Sequence, residues 1–586
     1  MKALLQYRGP VYISCFLWMG LCVMTALAAA DEMPPKYPAM YDRPAGNPRK
    51  SRSAVVAKHG IVATSEPLAA QVGLDILQAG GNAIDAAIAT NAMLGLVEPM
   101  SNGIGGDLFA IYWDSKSKQL YGLNASGRSP YALTRELLQE KELTLIPTAG
   151  PLSWSVPGCV DGWDELRQRF GTMEFSQLLA PAIKYAEEGF PVSELISLYW
   201  QQAATSLAEY PDTAKTYLID GQGPGIGELF KNPHLAESYR LIAERGRDAF
   251  YNGEIAHEIV TFSEANGGYF SLKDFSNHES EWVEPVATNY RGYDIWELPP
   301  NGQGIAALEM LNLLEPYNIK EMGHNSAEYL HLFVEAKKLA FADRARYYAD
   351  PAMADVPVAQ LISKDYAARQ RKRIDPNKAA IDVPPGDPIL REGDTIYLCV
   401  VDKEGNCCSL IQSNYAGFGS MMVPGDVGFV LQNRGALFSL DESHPNRLEP
   451  HKRPFHTIIP AMATKDGEPW LVFGVMGGDM QPQGHVQVLV NMIDFGMDVQ
   501  SAGDAARVRH VGSAQPTGVP MQEGGGRVIV ETGVTEEVIE LLKQRGHIVE
   551  RGGTSFGGYQ GIMFKREYGT LSGGTEPRKD GAAVGY

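Results

Sequence analysis

A threonine, Thr395, stands at the head of an apolar, β-branched run in Gly393-Asp394-Thr395-Ile396-Tyr397-Leu398-Cys399-Val400-Val401-Asp402. The turn-forming pair Gly405-Asn406 and a second apolar run, Cys407 to Ile411, follow, so the two runs predict a hairpin. A threonine in that place is ordinarily strand chemistry. Its hydroxyl becomes a useful nucleophile only when a base lies beside it. In the first residue of a chain the α-amino group can be that base, because its ordinary pKa of about 7.7–8.0 leaves it partly neutral at working pH. Nucleophile and base then share one residue, and no histidine or aspartate is required. No Gly-x-Ser-x-Gly elbow stands between a strand and a helix to offer a competing serine.

Other chemistries find less support. His257-Glu258 has Thr261 at the helical partner position, so the metalloprotease pattern fails, and the twelve histidines show no ligand spacing. The glycine-rich loop Ser101-Asn102-Gly103-Ile104-Gly105-Gly106-Asp107 precedes the strand-like Leu108 to Trp113, whereas phosphate loops follow a strand and open a helix. It reads as a turn with close backbone approach. No metal and no cofactor are expected.

The elements that must position these residues are legible in outline. Leu68 to Ala79 has one apolar face and stops at Gly80-Gly81. Asn82 caps a second, Ala-rich helix to about Val97, with Asp85 near its positive end. Residues 150–380 read as predominantly helical, with a long helix over Asn325 to Tyr348. Residues 379–393, rich in Pro, Gly and Asp, read as a surface segment. Beyond Thr395 the texture changes to strands, expected at Ile396 to Val401, Cys407 to Gln412, Gly428 to Gln432 and Trp470 to Gly474. Helices are expected over Gln483 to Phe495 and Thr535 to Gln544.

The 586 residues carry a formal net charge of −19, and this acidity, with no basic stripe, argues against nucleic acid as a partner. Lys2 and Arg8, the apolar Val11 to Leu27 and the small residues up to Ala30 predict a signal peptide over residues 1–30. The protein is therefore expected to be periplasmic or secreted, with no membrane association once the signal is removed. An uncleaved anchor is the alternative, since Val11 to Ala30 could just span a bilayer. Cys159, Cys399, Cys407 and Cys408 would remain, and they read as small buried hydrophobes, Cys407 and Cys408 facing opposite ways.

Several motifs together resemble the γ-glutamyltransferase (γ-glutamyltranspeptidase, glutathione hydrolase) family of N-terminal-nucleophile hydrolases. They are Ala79-Gly80-Gly81-Asn82-Ala83-Ile84-Asp85-Ala86-Ala87, Gly103-Ile104-Gly105-Gly106-Asp107, Val156-Pro157-Gly158 with Gly162-Trp163, and Ala342-Asp343-Arg344. Past Thr395 come Lys452-Arg453-Pro454, Met476-Gly477-Gly478, Pro577-Arg578 and Gly585-Tyr586. The resemblance implies an α+β fold, a four-layer αββα sandwich formed jointly by two subunits of one precursor. The large subunit would span 31–394 and the small, catalytic subunit 395–586, the two remaining together as a heterodimer. It implies self-cleavage between Asp394 and Thr395, with Thr395 as nucleophile, Ser413 as its hydroxyl partner, and the N–H groups of Gly477 and Gly478 as the oxyanion hole. The implied activity is cleavage of γ-glutamyl amides, glutathione included, through a threonyl acyl-enzyme taken up by water or an amine acceptor.

The substrate pocket departs from the family's pattern. The arginine that holds the glutamyl α-carboxylate falls on Ser126, with Arg128 two residues on, and the serine pair becomes His456-Thr457. The partners of the α-amino group become Tyr415, Arg434 (beside Asn433) and Leu437. Arginine's planar fork suits a carboxylate and not an ammonium. Arg434, Tyr415, Asn433, His456, Thr457 and Arg128 are therefore the expected substrate contacts. The alternative activity is an acylase for dicarboxylic monoamides, of glutaryl-amide or oxamate type, and a second alternative is an unprocessed, non-catalytic binding protein. The segment Asp441 to Lys452 is also shorter than the lid of typical bacterial transpeptidases, which implies a more open site.

Overall fold

The computed structural model of the chain describes residues 51–383 and 394–586, Asp394 through its backbone alone. The leader expected over 1–30, and residues 384–393 of the segment before Thr395, lie outside the described residues.

The first helix pair forms where the caps predict it. Pro67 opens the helix Pro67–Gln78, Gly80 takes φ +99 beyond its end, and Asn82 with Asp85 makes a complete capping box for Ala83–Val97. Every residue of that second helix is buried, and its alanines allow neighbours to approach closely. Met480–Ile493 and Ala327–Tyr347 also lie near their expected places.

Two seven-stranded antiparallel sheets hold the centre. One runs Ala582–Gly585, Ile61–Thr64, Asp394–Val401, Cys407–Tyr415, Asp107–Asp114, Gln119–Ala125, Glu281–Val283. The other runs Val55–Ala57, Thr570–Thr575, Gly558–Lys565, Glu468–Met476, Ala461–Lys465, Tyr293–Glu297, Val286–Tyr290. Both interleave strands from before and after Thr395, so neither stretch of sequence can complete a sheet alone.

The period-2 alternation of each strand sorts its side chains. Tyr397, Cys399, Val401 and Cys407 join Met462, Val472, Met476 and Ile562 from the other sheet in one apolar cluster. Their neighbours Ile396, Leu398, Val400 and Cys408 belong to a second cluster, with the helices Pro67–Gln78 and Ala83–Val97. Ala461, Leu471, Phe473 and Val475 pack in a third, with helices Gly304–Leu314, Ala327–Tyr347 and Met480–Ile493. This α+β content in sheets matches the expected class. Cys407 and Cys408 do fall in different clusters, and the four cysteines at 159, 399, 407 and 408 are free and buried. No described helix is long and apolar enough to cross a membrane.

Two expectations need correction. Gly428 to Gln432 is not a strand. Gly428 takes φ +78, and the next amides bond individually, Leu431 to Met422 O and Gln432 to Gly105 O, instead of forming a ladder. The helical middle also contains a hairpin, Val286–Tyr290 with Tyr293–Glu297, turned by Arg291 and Gly292 at positive φ.

Candidate active site

Thr395 sits in a β-bulge. Ile396 pairs with Gln412 but Asp394 pairs with Tyr415, so Thr395 faces two residues, Ser413 and Asn414. Such a bulge re-aims a side chain at the end of a ladder. The Thr395 hydroxyl is buried and donates to Ser413 Oγ at 3.3 Å, and the Tyr415 amide donates to the same oxygen at 2.8 Å. Tyr415 holds φ +81, a conformation that costs a non-glycine residue about 1–3 kcal/mol and survives only where its surroundings over-determine it. They do here: Asn414 N bonds Ser101 O, Asn433 N bonds Asn414 O, and Ala416 N bonds Asn433 Oδ1. The glycine-rich loop lies against this turn. A Cβ on Gly106 would come within 2.4 Å of Ser413 O, and one on Gly105 within 2.0 Å of Val430 O, so only glycine permits the approach.

The loop delivers Asp107, fully buried, as a hub. Its Oδ1 accepts from Gly127 N (2.9 Å), Gly158 N (3.1 Å) and Gln432 Nε2 (2.8 Å), and its Oδ2 faces His456 Nε2 at 3.1 Å. Ile458 N donates to His456 Nδ1, so the neutral ring carries its proton on Nε2 and donates it to Asp107. Burial, with Arg434 adding to it, holds the His456 pKa well below the usual histidine range. Burial pushes the Asp107 pKa up to about 6, against the opposing pull of Arg434 and the hydrogen bonds from Gln432, Gly127 and Gly158.

Arg434, on the short 3-10 turn Arg434–Leu437, is also fully buried. Its Nη1 donates to Thr457 Oγ1 at 2.7 Å and its guanidinium lies 4.7 Å from the Tyr415 ring centroid. Burial draws its pKa down to about 10, while Asp107 and Tyr415 act to raise it, so it stays charged at neutral pH. Its Nε and Nη2 have no hydrogen-bond partner. A buried cation with two open donors, packed on the ring of Tyr415 whose amide holds Ser413, can accept a planar anion.

On the other sheet the strand Glu468–Met476 runs into Gly477 and Gly478, at φ +117 and +53, ahead of the helix Met480–Ile493. The helix N-terminus adds its positive end to any charge that develops there. Asp479 is clamped by Arg344, Nη1 to Oδ1 at 2.6 Å and Nη2 to Oδ2 at 3.2 Å, and by Gln515 Nε2 at 2.7 Å. Burial works to raise the Asp479 pKa, but Arg344, Lys337 and Gln515 together hold the carboxyl below its ordinary range. Gln303 ties this loop to the irregular segment that precedes the strand Ala461–Lys465, its Nε2 donating to Gly478 O at 2.9 Å and to Thr457 O at 2.7 Å.

Thr395, Ser413, Tyr415, Arg434, His456 and Thr457 are thus joined through direct contacts and the Asp107 hub. Asn433 is beside them, but its amide is engaged with backbone, Nδ2 to Thr148 O and Oδ1 from Ala416 N. Arg128 has its charged neighbours elsewhere, in Arg453, Asp350 and Glu281. Ser126 is buried and donates to Asn124 Oδ1, and Leu437 is buried in the helix-side cluster. Asp107, Gln303, Arg344 and Asp479 received no role from the sequence. Asp107 and Arg344 lie inside quoted motifs and could have been singled out, whereas Gln303 carries no local signal. The stretch Gly553-Thr554-Ser555-Phe556-Gly557 has nucleophile-elbow spacing but joins two strands, Ile548–Arg551 and Gly558–Lys565, and opens no helix. Among the described residues one trio, His331, Glu335 and His547, could hold a metal. Its donors are already engaged: the two rings meet at 2.8 Å, His331 Nε2 meets Asp375 O, and Glu335 pairs with Lys338.

The sequence profile described as Gamma-glutamyltranspeptidase matches residues 69–586. The chain is similar to the Glutathione hydrolase-like YwrD proenzyme of Bacillus subtilis (strain 168), 40% identical over 539 residues that cover 91% of this chain and 99% of that protein. It is 35% identical to the Acylase ACY 1 proenzyme of Pseudomonas sp. (strain V22), over 91% of this chain and 94% of that one. Among solved structures, the cephalosporin acylase from Bacillus halodurans superposes with a TM-score of 0.85 at 42% identity, covering 94% of this chain and 99% of that chain.

Proposed function

This chain belongs to the gamma-glutamyltranspeptidase family of hydrolases, and on that premise we propose that it is a self-processing threonine amidohydrolase whose acyl substrate ends in a carboxylate. The precursor cuts itself between Asp394 and Thr395, giving a large subunit ending at Asp394 and a small one starting at Thr395. The strands that interleave across this point keep the two together as a heterodimer. The helix-flanked apolar clusters on either side of the paired sheets support a four-layer αββα arrangement. The leader expected over 1–30 supports export to the periplasm or beyond, and recovery of the protein in the cytosol with the leader intact would refute it.

In the reaction, Thr395 Oγ attacks the amide carbonyl while its α-amine takes the hydroxyl proton. The N–H groups of Gly477 and Gly478 receive the oxyanion. The C–N bond breaks, the amine leaves with the proton, and water or an acceptor amine then takes the acyl group from Thr395. Ser413 fixes the hydroxyl's direction.

The single observation that carries the acyl assignment is Arg434, fully buried with Nε and Nη2 unpartnered. A terminal carboxylate of the acyl group fits that fork. A γ-glutamyl group also has a carboxylate, which keeps glutathione-type substrates as a second reading, but its α-ammonium needs an acceptor. Leu437 supplies none, Tyr415 offers only a neutral phenol oxygen, and Asp107 already accepts from Gly127, Gly158, Gln432 and His456. Glutaryl and γ-glutamyl p-nitroanilides differ by that amine alone. The expected result is kcat/KM at least about tenfold higher for the glutaryl compound, corresponding to about 1.4 kcal/mol. Equal or reversed values would sink the acylase reading, and a chain that stays whole on a denaturing gel would favour a binding protein.

A further inference from the structure

Gln303 is buried at the N-cap of the helix Gly304–Leu314, and its one amide touches both ends of the site. Nε2 donates to Thr457 O at 2.7 Å and to Gly478 O at 2.9 Å. Oε1 accepts from Arg344 Nη1 at 2.6 Å, while the same guanidinium grips Asp479. The orientation of this amide follows from its partners: flipped, it would set NH2 against a guanidinium and its oxygen against two carbonyls. Both amide hydrogens and the amide oxygen are engaged.

The two carbonyls it joins belong to different tasks. Thr457 Oγ1 receives Arg434 Nη1, so Thr457 anchors the carboxylate end. Gly478 belongs to the glycine pair proposed to hold the oxyanion. We propose that Gln303 is a positioning residue that sets the span between these two ends, and with it the length of acyl chain that reaches from Arg434 to Thr395. It touches neither substrate nor Thr395, and acts through Thr457 and Gly478. This inference rests on the acyl-site reading above.

The test compares succinyl, glutaryl and adipyl p-nitroanilides on wild type, Gln303→Met and Gln303→Glu, with rates normalised to the acyl-enzyme burst and processing read on a denaturing gel. Methionine keeps the volume and loses both donors, while glutamate keeps the Arg344 contact and turns the donors into acceptors. Wild type is expected to favour one length. In both variants kcat on that length falls about tenfold to a hundredfold, the scale of an ångström's misplacement at a reacting centre. The other lengths lose less, so the profile flattens. An equal loss at every length would make Gln303 a general support, and no loss would leave it without the role. Either overturns the inference while the functional reading stands. A wild type that turns over none of the three anilides overturns both. If neither variant folds, Arg344→Lys leaves Gln303 in place but loosens its orientation, and its profile decides by the same criteria.

Discussion

Thr395 faces two residues of the neighbouring strand, and the first of them, Ser413, holds its Oγ 3.3 Å from the Thr395 hydroxyl while receiving the Tyr415 amide at 2.8 Å. One extra residue in a ladder thus brings two hydroxyls together at the head of a buried strand. Replacing Thr395 by alanine should leave the chain whole, whereas the wild type yields a fragment whose N-terminal sequence starts at Thr395. Ser413→Ala should slow both processing and turnover by about five- to thirtyfold, the value of one hydrogen bond of about 1–2 kcal/mol. A gel time course reads the first rate, and processing at the wild-type rate would remove Ser413 from the reaction.

Arg434→Gln should cost glutaryl substrates about ten- to a hundredfold in kcat/KM, the worth of a charge-assisted hydrogen-bond pair to a carboxylate. Butyryl anilide, which lacks the carboxylate, should lose little. If both substrates fall together, Arg434 supports the pocket without reading the substrate.

The Asp107 pKa of about 6 lies above the ordinary aspartate value of 3.8. A group raised in this way contributes stability that is full below about pH 4 and is lost as pH rises through about 6. Activity should run the opposite way, because the donors from Gly127, Gly158, Gln432 and His456 all point at an ionised carboxylate. The melting-temperature difference between wild type and Asp107→Asn should therefore shrink from pH 4 to pH 7, while wild-type kcat/KM climbs with a midpoint near pH 6. A difference that does not change across this range would disprove the shift.

Arg344→Met should destabilise the protein by about 3–5 kcal/mol, because it strands the Asp479 carboxylate beside the glycine pair. The double variant Arg344→Met with Asp479→Asn should recover part of the loss. Urea unfolding measures both, and a strictly additive pair would mean that the contact carries no coupling.

Gly477→Ala places a Cβ 3.1 Å from Gly557 Cα on a backbone at φ +117. Turnover should fall by about a hundredfold or more, as when an oxyanion donor is lost. Stability should drop by only about 1–3 kcal/mol. Calorimetry and burst kinetics on one preparation separate the two effects, and turnover near wild type would exclude Gly477 N from the oxyanion hole.

The sequence by itself determined the elements whose cause is local. Asn82 and Asp85 cap a helix, Gly405-Asn406 turns a hairpin, and alternating apolar residues place Cys407 and Cys408 on opposite faces; each depends on residues a few positions apart. Gly428 to Gln432 misled because a short apolar run looks alike in a strand and in a loop that bonds to Met422 and Gly105, and only its partners distinguish the two. Thr395, Ser413, Arg434 and the glycine pair could be singled out as candidates from the family resemblance along the chain. Their surroundings were not. Asp107 meets His456 across 349 positions, Gln303 meets Gly478 across 175, and Arg344 meets Asp479 across 135. Tertiary structure alone decided that Asp107 gathers four donors, that Arg434 keeps two donors open, and that one amide bridges Thr457 to Gly478. The physical reason is that burial and hydrogen-bond satisfaction belong to an environment assembled from distant segments, whereas caps, turns and alternation belong to neighbours along the chain.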